Sequence, residues 1–198
     1  MIKISTNQLM KNIINKIDIN EHYDLSEILP LFEPRLVINN DYVVFATPKG
    51  YTKEFIDSWG NDFAGFEGNV NDFHVDQNLD INIPDMEERI NHGILHGLFQ
   101  KSIIACEEVF KMFNNYPEIK PEDAFTIIFS IDSFDPEIDS EDEEIIEVSS
   151  SLRFTKKRNL SSWVSDDLEV YKQPIMTVDF DKKSISSIPE KWWVKYSN

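Results

Sequence analysis

The chain has 198 residues, 41% hydrophobic and 12% aromatic, and its 19 basic against 36 acidic residues give a net charge of −17 and a pI near 4.5. That composition supports a single domain over residues 1–198 with a sizeable core and excludes a disordered chain. The negative field repels nucleic-acid phosphates and anionic lipids and attracts basic surfaces, so direct nucleic-acid binding and membrane binding are not expected.

A lone cysteine, Cys106, leaves no partner for an intramolecular disulfide and no multi-cysteine metal site. No run reaches the roughly 18 apolar residues of a membrane span. The N-terminal stretch lacks the apolar core and cleavage site of a secretory signal. A soluble, cytoplasmic protein is the expectation.

In chain order, "STNQLMKNIINKI" offers Ser5, Thr6 or Asn7 as a cap, with Leu9, Ile13, Ile14 and Ile17 at helical spacing. "RLVINNDYVVFAT" places two β-rich runs around Asn39-Asn40-Asp41, a hairpin signal. A short helix follows, with Thr52 as its cap and Gly60 as its stop, and the glycines and asparagines from Asn61 to Asn82 read as irregular. The strongest helical signal runs from Pro84 to Asn114, where Leu98, Phe99, Cys106, Val109 and Phe113 fall on one broad apolar face.

The second half changes character. "AFTIIFSID", "EEIIEVSSSLRF" and "LEVYKQPIMTVDF" are β-rich runs joined by polar loops, and they predict an antiparallel meander. The fold class is therefore expected to be α+β: a sheet of mainly C-terminal strands packed by a long central helix and shorter N-terminal helices.

Catalytic signatures are weak throughout. His92 and His96 stand four apart on the central helix, as two metal ligands would, but Gly93 occupies the position where the zincin motif needs Glu, and no third ligand is implied. Cys106, in the middle of the apolar face, reads as a small hydrophobe with a raised pKa. No glycine-rich phosphate loop is present, and the acidic run has no glycine at the sixth position of a calcium loop. No cofactor and no catalytic residue are expected.

Charge clustering is more informative. From Asp132 to Ile146 there are eight carboxylates and no basic residue: Asp132, Asp135, Glu137, Asp139, Glu141, Asp142, Glu143 and Glu144. From Glu54 to Glu88 there are ten more and again no Lys or Arg. Asp62, Glu67, Asp72 and Asp76 are interleaved there with Phe55, Trp59, Phe63, Phe66 and Phe73. Carboxylates steer a basic partner and buried rings fix it, so both stretches are candidate partner-binding surfaces. The same rings would serve equally well as core residues under a solvated acidic exterior.

In general type (small, strongly acidic, poor in cysteine and without catalytic motifs) the chain resembles the immunity proteins of bacterial toxin systems. That resemblance implies a non-enzymatic inhibitor that binds a cognate toxin, often a basic nuclease, directly. The alternatives are a metal-dependent hydrolase using His92 and His96, or a phage-type acidic decoy of a nucleic-acid-binding protein.

Overall fold

The computed structural model describes residues 2–15, 35–39, 41–47, 50–75, 94–132, 149–158, 162–186, 188 and 192–193. Among them the fold is α+β, with seven strands: β1 (Lys3–Thr6), β2 (Leu36–Ile38), β3 (Val43–Phe45), β4 (Phe73–His74), β5 (Ala124–Asp132), β6 (Ser149–Lys156) and β7 (Ile175–Asp181). The helices are α1 (Gln8–Ile14), α2 (Lys53–Ser58), α3 (Phe63–Val70), α4 (Ile94–Asn115) and α5 (Lys182–Ile185).

Five strands form one antiparallel sheet in the order β1-β7-β5-β6-β4, and β2 and β3 form a separate hairpin. The three C-terminal strands are present, but the expected meander is not. β7 pairs with the far side of β5, so β5 is central between β6 and β7. β7 is flanked in turn by β1 and β5, and its Met176, Val178 and Phe180 are each 2% exposed or less.

The chain reaches that position by crossing the sheet's outer face, where Leu168 packs on Ile128 and Ile175. Leu168–Val170, expected within a strand, is a 3₁₀ turn capped by Asp167, and pairing begins only after Pro174. Asn61 to Asn82 is not irregular throughout, because α3 and β4 lie within it.

Alternation along β5, β6 and β7 turns Phe125, Ile127, Phe129, Leu152, Phe154, Val178 and Phe180 to one face, where they meet α4. Phe113 of α4 stands at the centre, with ring centroids 4.6 Å from Phe125, 5.2 Å from Phe154 and 5.7 Å from Phe180. Trp192 closes one flank against Phe110 and donates from its indole N–H to Glu107. Cys106 is fully buried here, and burial together with the neighbouring Glu107 charge pushes its thiol far above the ordinary range, so it behaves as an inert apolar group.

Asn7 is the helix cap that sequence spacing left open among three candidates. Its Oδ1 accepts from Met10 N at 3.0 Å and Ile175 N at 3.2 Å, and its Nδ2 donates to Gln173 O at 2.8 Å. One buried side chain thus starts α1 and fixes the entry to β7. Asn7→Ala should cost about 2–4 kcal/mol, since it removes a cap and strands buried backbone groups. Thr52→Ala, at the exposed cap of α2, should cost only about 1 kcal/mol. Urea unfolding of the two variants measures the difference.

Candidate protein-binding surface

The Glu54–Glu88 stretch is described as far as Val75, and it begins with two short helices, of which α3 packs against β3 of the hairpin. α2 is capped by Thr52, and the chain turns at Gly60, whose φ of +60° suits glycine. Asp62 then caps α3 by accepting from Gly65 N at 2.9 Å. Two glycines inside α3 disguise it in the sequence, and at Gly68 the reason is packing. A Cβ there would lie 2.4 Å from the indole of Trp163, which closes on the bare helix backbone.

The aromatic residues of this region form one cluster around Phe66, which is fully buried. Tyr42 stands 5.2 Å away, Tyr51 5.7 Å, Phe55 6.0 Å and Trp59 6.4 Å. The outer members reach the surface: Phe55 is 40% exposed and stacks on Tyr51, and Trp59 and Phe63 are half-buried. Between hairpin and helices lies an open cleft of about 470 Å³ lined by Tyr42, Tyr51, Phe63, Asp41, Asp57 and Lys53, among others. Asp41 and Asp57 are exposed on its lining, and Glu54 of α2 and Asp62, the cap of α3, are exposed as well.

The carboxylates named from the sequence separate into different roles. Asp62 is exposed, and its cap bond leaves it at the surface. Asp72 is turned to the sheet, where Oδ2 pairs with Arg153 at 2.9 Å. Glu67 is not on a surface at all. It is 0% exposed, and its carboxylate accepts from Val43 N at 2.7 Å, from Lys156 N at 2.7 Å and from both Nη atoms of Arg158 at 2.7 and 2.8 Å. Every lone-pair direction is used within the chain, so Glu67 has nothing to offer a partner. Burial pushes its carboxyl above the ordinary value, against the opposing pull of Arg158 and the two backbone N–H groups.

Asp76 and the acidic run at Asp135, Glu137, Asp139, Glu141, Asp142, Glu143 and Glu144 lie outside the described residues. Asp132 is described as the last residue of β5, paired in register with Ser149. His92 likewise lies outside, and of His96 only its backbone place on α4 is described. Among the described residues no three His, Cys, Asp or Glu side chains gather as a metal site would require, and no helix is long and apolar enough to cross a membrane.

Sequence reasoning missed Arg158, Asn71, Tyr42 and Tyr51. Arg158 donates to Glu67 and to the Asp41 carbonyl, and its guanidinium carbon lies 6.0 Å from the Phe63 ring centre. The available signal was the spacing of Glu67 and Asn71, four apart and so on one side of any helix through them. The glycines at 65 and 68 hid that helix.

Phe66→Ala should destabilise the chain by about 3–5 kcal/mol, because the cluster loses its centre. Phe55→Ala should change stability by no more than about 1 kcal/mol, as expected for a ring already in contact with water. Equal, large costs in urea unfolding would mean that Phe55 is core and not surface.

No curated protein and no solved structure matches this chain. A family profile matches residues 5–190, which takes in the hairpin, all five described helices and every described strand except the start of β1. The chain belongs to the uncharacterized protein PM0498 family.

Proposed function

We propose that this protein is a stoichiometric inhibitor that binds a basic protein partner directly, in the manner of an immunity protein covering a cognate toxin domain. The observation that carries the reading is the surface built by α2, α3 and the β2–β3 hairpin. There the exposed Phe55 and half-buried Trp59 and Phe63 stand among exposed carboxylates.

An exposed ring held by neighbouring rings loses little side-chain entropy on binding, and it supplies the apolar anchor that an interface centre needs. The surrounding carboxylates, in a body of net charge −17, raise the rate of encounter with a cation-rich surface. Charge mimicry of a phosphate backbone follows naturally if the partner is a nuclease. On this reading the protein acts by occupancy and needs no catalytic group. Cytoplasmic residence, where such a partner would otherwise do harm, is part of the proposal.

The test pairs this chain with the product of the adjacent reading frame. The expected result is a one-to-one complex that abolishes the partner's activity and whose association rate falls with salt. Phe55→Ala should weaken that complex by tenfold or more, corresponding to about 1.4 kcal/mol or above at a buried anchor. Replacing Glu141, Asp142, Glu143 and Glu144 by Gln and Asn should slow association at low salt and leave dissociation nearly unchanged. An adjacent product that forms no complex, or one whose activity the chain leaves intact, contradicts the proposal.

A further inference from the structure

The face of the five-stranded sheet turned away from α4 carries a second cleft, of about 680 Å³, within the range typical of small-ligand sites. Strand register sets its floor. Lys3, Asp179, Thr126 and Thr155 lie side by side across β1, β7, β5 and β6, and Ser5 and Thr177 form the next row. The loop from Ser162 to Leu168 makes one wall, with the exposed Asp166 on it, and Lys157 stands at the rim.

The charge and hydroxyl pattern of this cleft is unlike the rest of the molecule. Four of the chain's 19 basic residues line it, against two carboxylates, in a protein of net charge −17. Two of the four are committed elsewhere: Lys156 to Asp123 at 2.9 Å, and Arg158 to Glu67. The other two flank Asp179. Lys157 Nζ donates to its Oδ2 at 2.7 Å, Thr126 Oγ1 donates to its Oδ1 at 2.7 Å, and Lys3 is its cross-strand neighbour.

The floor carboxylate is thus matched by one ammonium. The second, Lys3, is exposed and has no ion-pair partner among the described residues. Thr126, Thr155 and Thr177 are only 8%, 4% and 7% exposed, so their hydroxyls sit at the bottom of a recess and not on an open solvated face. Ammonium groups with hydroxyl donors around a recess are the complement of a compact oxyanion.

We propose that this cleft binds a small phosphate-bearing molecule, with Lys3 and Lys157 as its charge partners and the hydroxyls of Ser5, Thr155 and Thr177 as donors. The acidic body opposes such a ligand only weakly at physiological salt, where fields fade over about 8 Å. Asp179 acts as an internal competitor: it holds Lys157 in place and lowers the affinity. This site is separate from the acidic and aromatic surface and stands independently of the inhibitor reading.

The test is an NMR titration of the full chain with inorganic phosphate at pH 7, against sodium chloride at matched ionic strength. Saturable shifts are expected at the amides of Lys3, Ser5, Thr126, Thr155 and Thr177. Lys3→Gln should weaken binding by about fivefold or more, and Asp179→Asn should strengthen it by about threefold, as expected from removing an attractive and a repulsive charge. Lys172→Gln, away from the cleft, should leave affinity unchanged. Shifts that do not saturate, or affinity indifferent to both Lys3→Gln and Asp179→Asn, would overturn the proposal, and so would weaker binding in the well-folded Asp179→Asn variant.

Discussion

Two polar side chains, one on α3 and one at its C-terminal cap, hold the β2–β3 hairpin to the main sheet. Glu67 and Asn71, one helical turn apart and both fully buried, reach across a gap where backbone pairing is missing. Glu67 accepts from Val43 N on one side and Lys156 N on the other. Asn71 accepts from Phe45 N at 2.9 Å and donates to Val43 O and Phe154 O, both at 2.9 Å. The outward-facing groups of β3 and β6 would otherwise be buried without partners, at a cost of about 1–3 kcal/mol each. Arg158 supplies the countercharge without which a buried carboxylate could not be kept.

Everything proposed about the acidic surface depends on this bridge. α3 carries Phe66 on the side facing the hairpin and helix α2, so fixing α3 to β6 also fixes the ring cluster that supports Phe55 and Trp59. Arg158 couples the two halves of the molecule further. Its guanidinium sits between Glu67 and the Asp41 carbonyl, while the residue also lines the cleft on the sheet's outer face. The acidic surface and the outer-face cleft therefore share one residue at their boundary. The net charge of the chain conceals a local gathering of four basic side chains at the outer-face cleft, three of them already paired with carboxylates.

Much of the fold was legible in the sequence where local signals agree. Thr52, Gly60 and the apolar stripe of α4 announced helix boundaries and the buried face, and the Asn39–Asp41 turn announced the hairpin. The failures occur where tertiary contacts override local preference. Gly68 reads as a helix breaker, yet the Trp163 ring requires its missing side chain. Leu168–Val170 reads as strand, yet Leu168 is spent on covering Ile128. The order β7-β5-β6 rests on the pairing of β7 with β5, with β6 intervening in the chain, and no local pattern encodes that. Of the site, the mixture of acids and rings was visible, but the burial of Glu67 was not, because its partners Val43, Lys156 and Arg158 are distant in sequence. The cleft on the outer face was equally hidden, since its floor comes from four strands scattered over the chain.

Amide hydrogen exchange at Val43, Phe45 and Lys156 tests the bridge most directly, since these three N–H groups donate to the side chains of Glu67 and Asn71 instead of to a neighbouring strand. If the bridge holds the hairpin and sheet as one cooperative unit, the three amides should be protected to within about 1 kcal/mol of Ile127 and Phe129 in central β5, opening only when the whole fold opens. Exchange of the three near free-peptide rates, while the β5 amides stay protected, would mean that the hairpin and α3 open on their own, and the account of how the surface is held would be wrong.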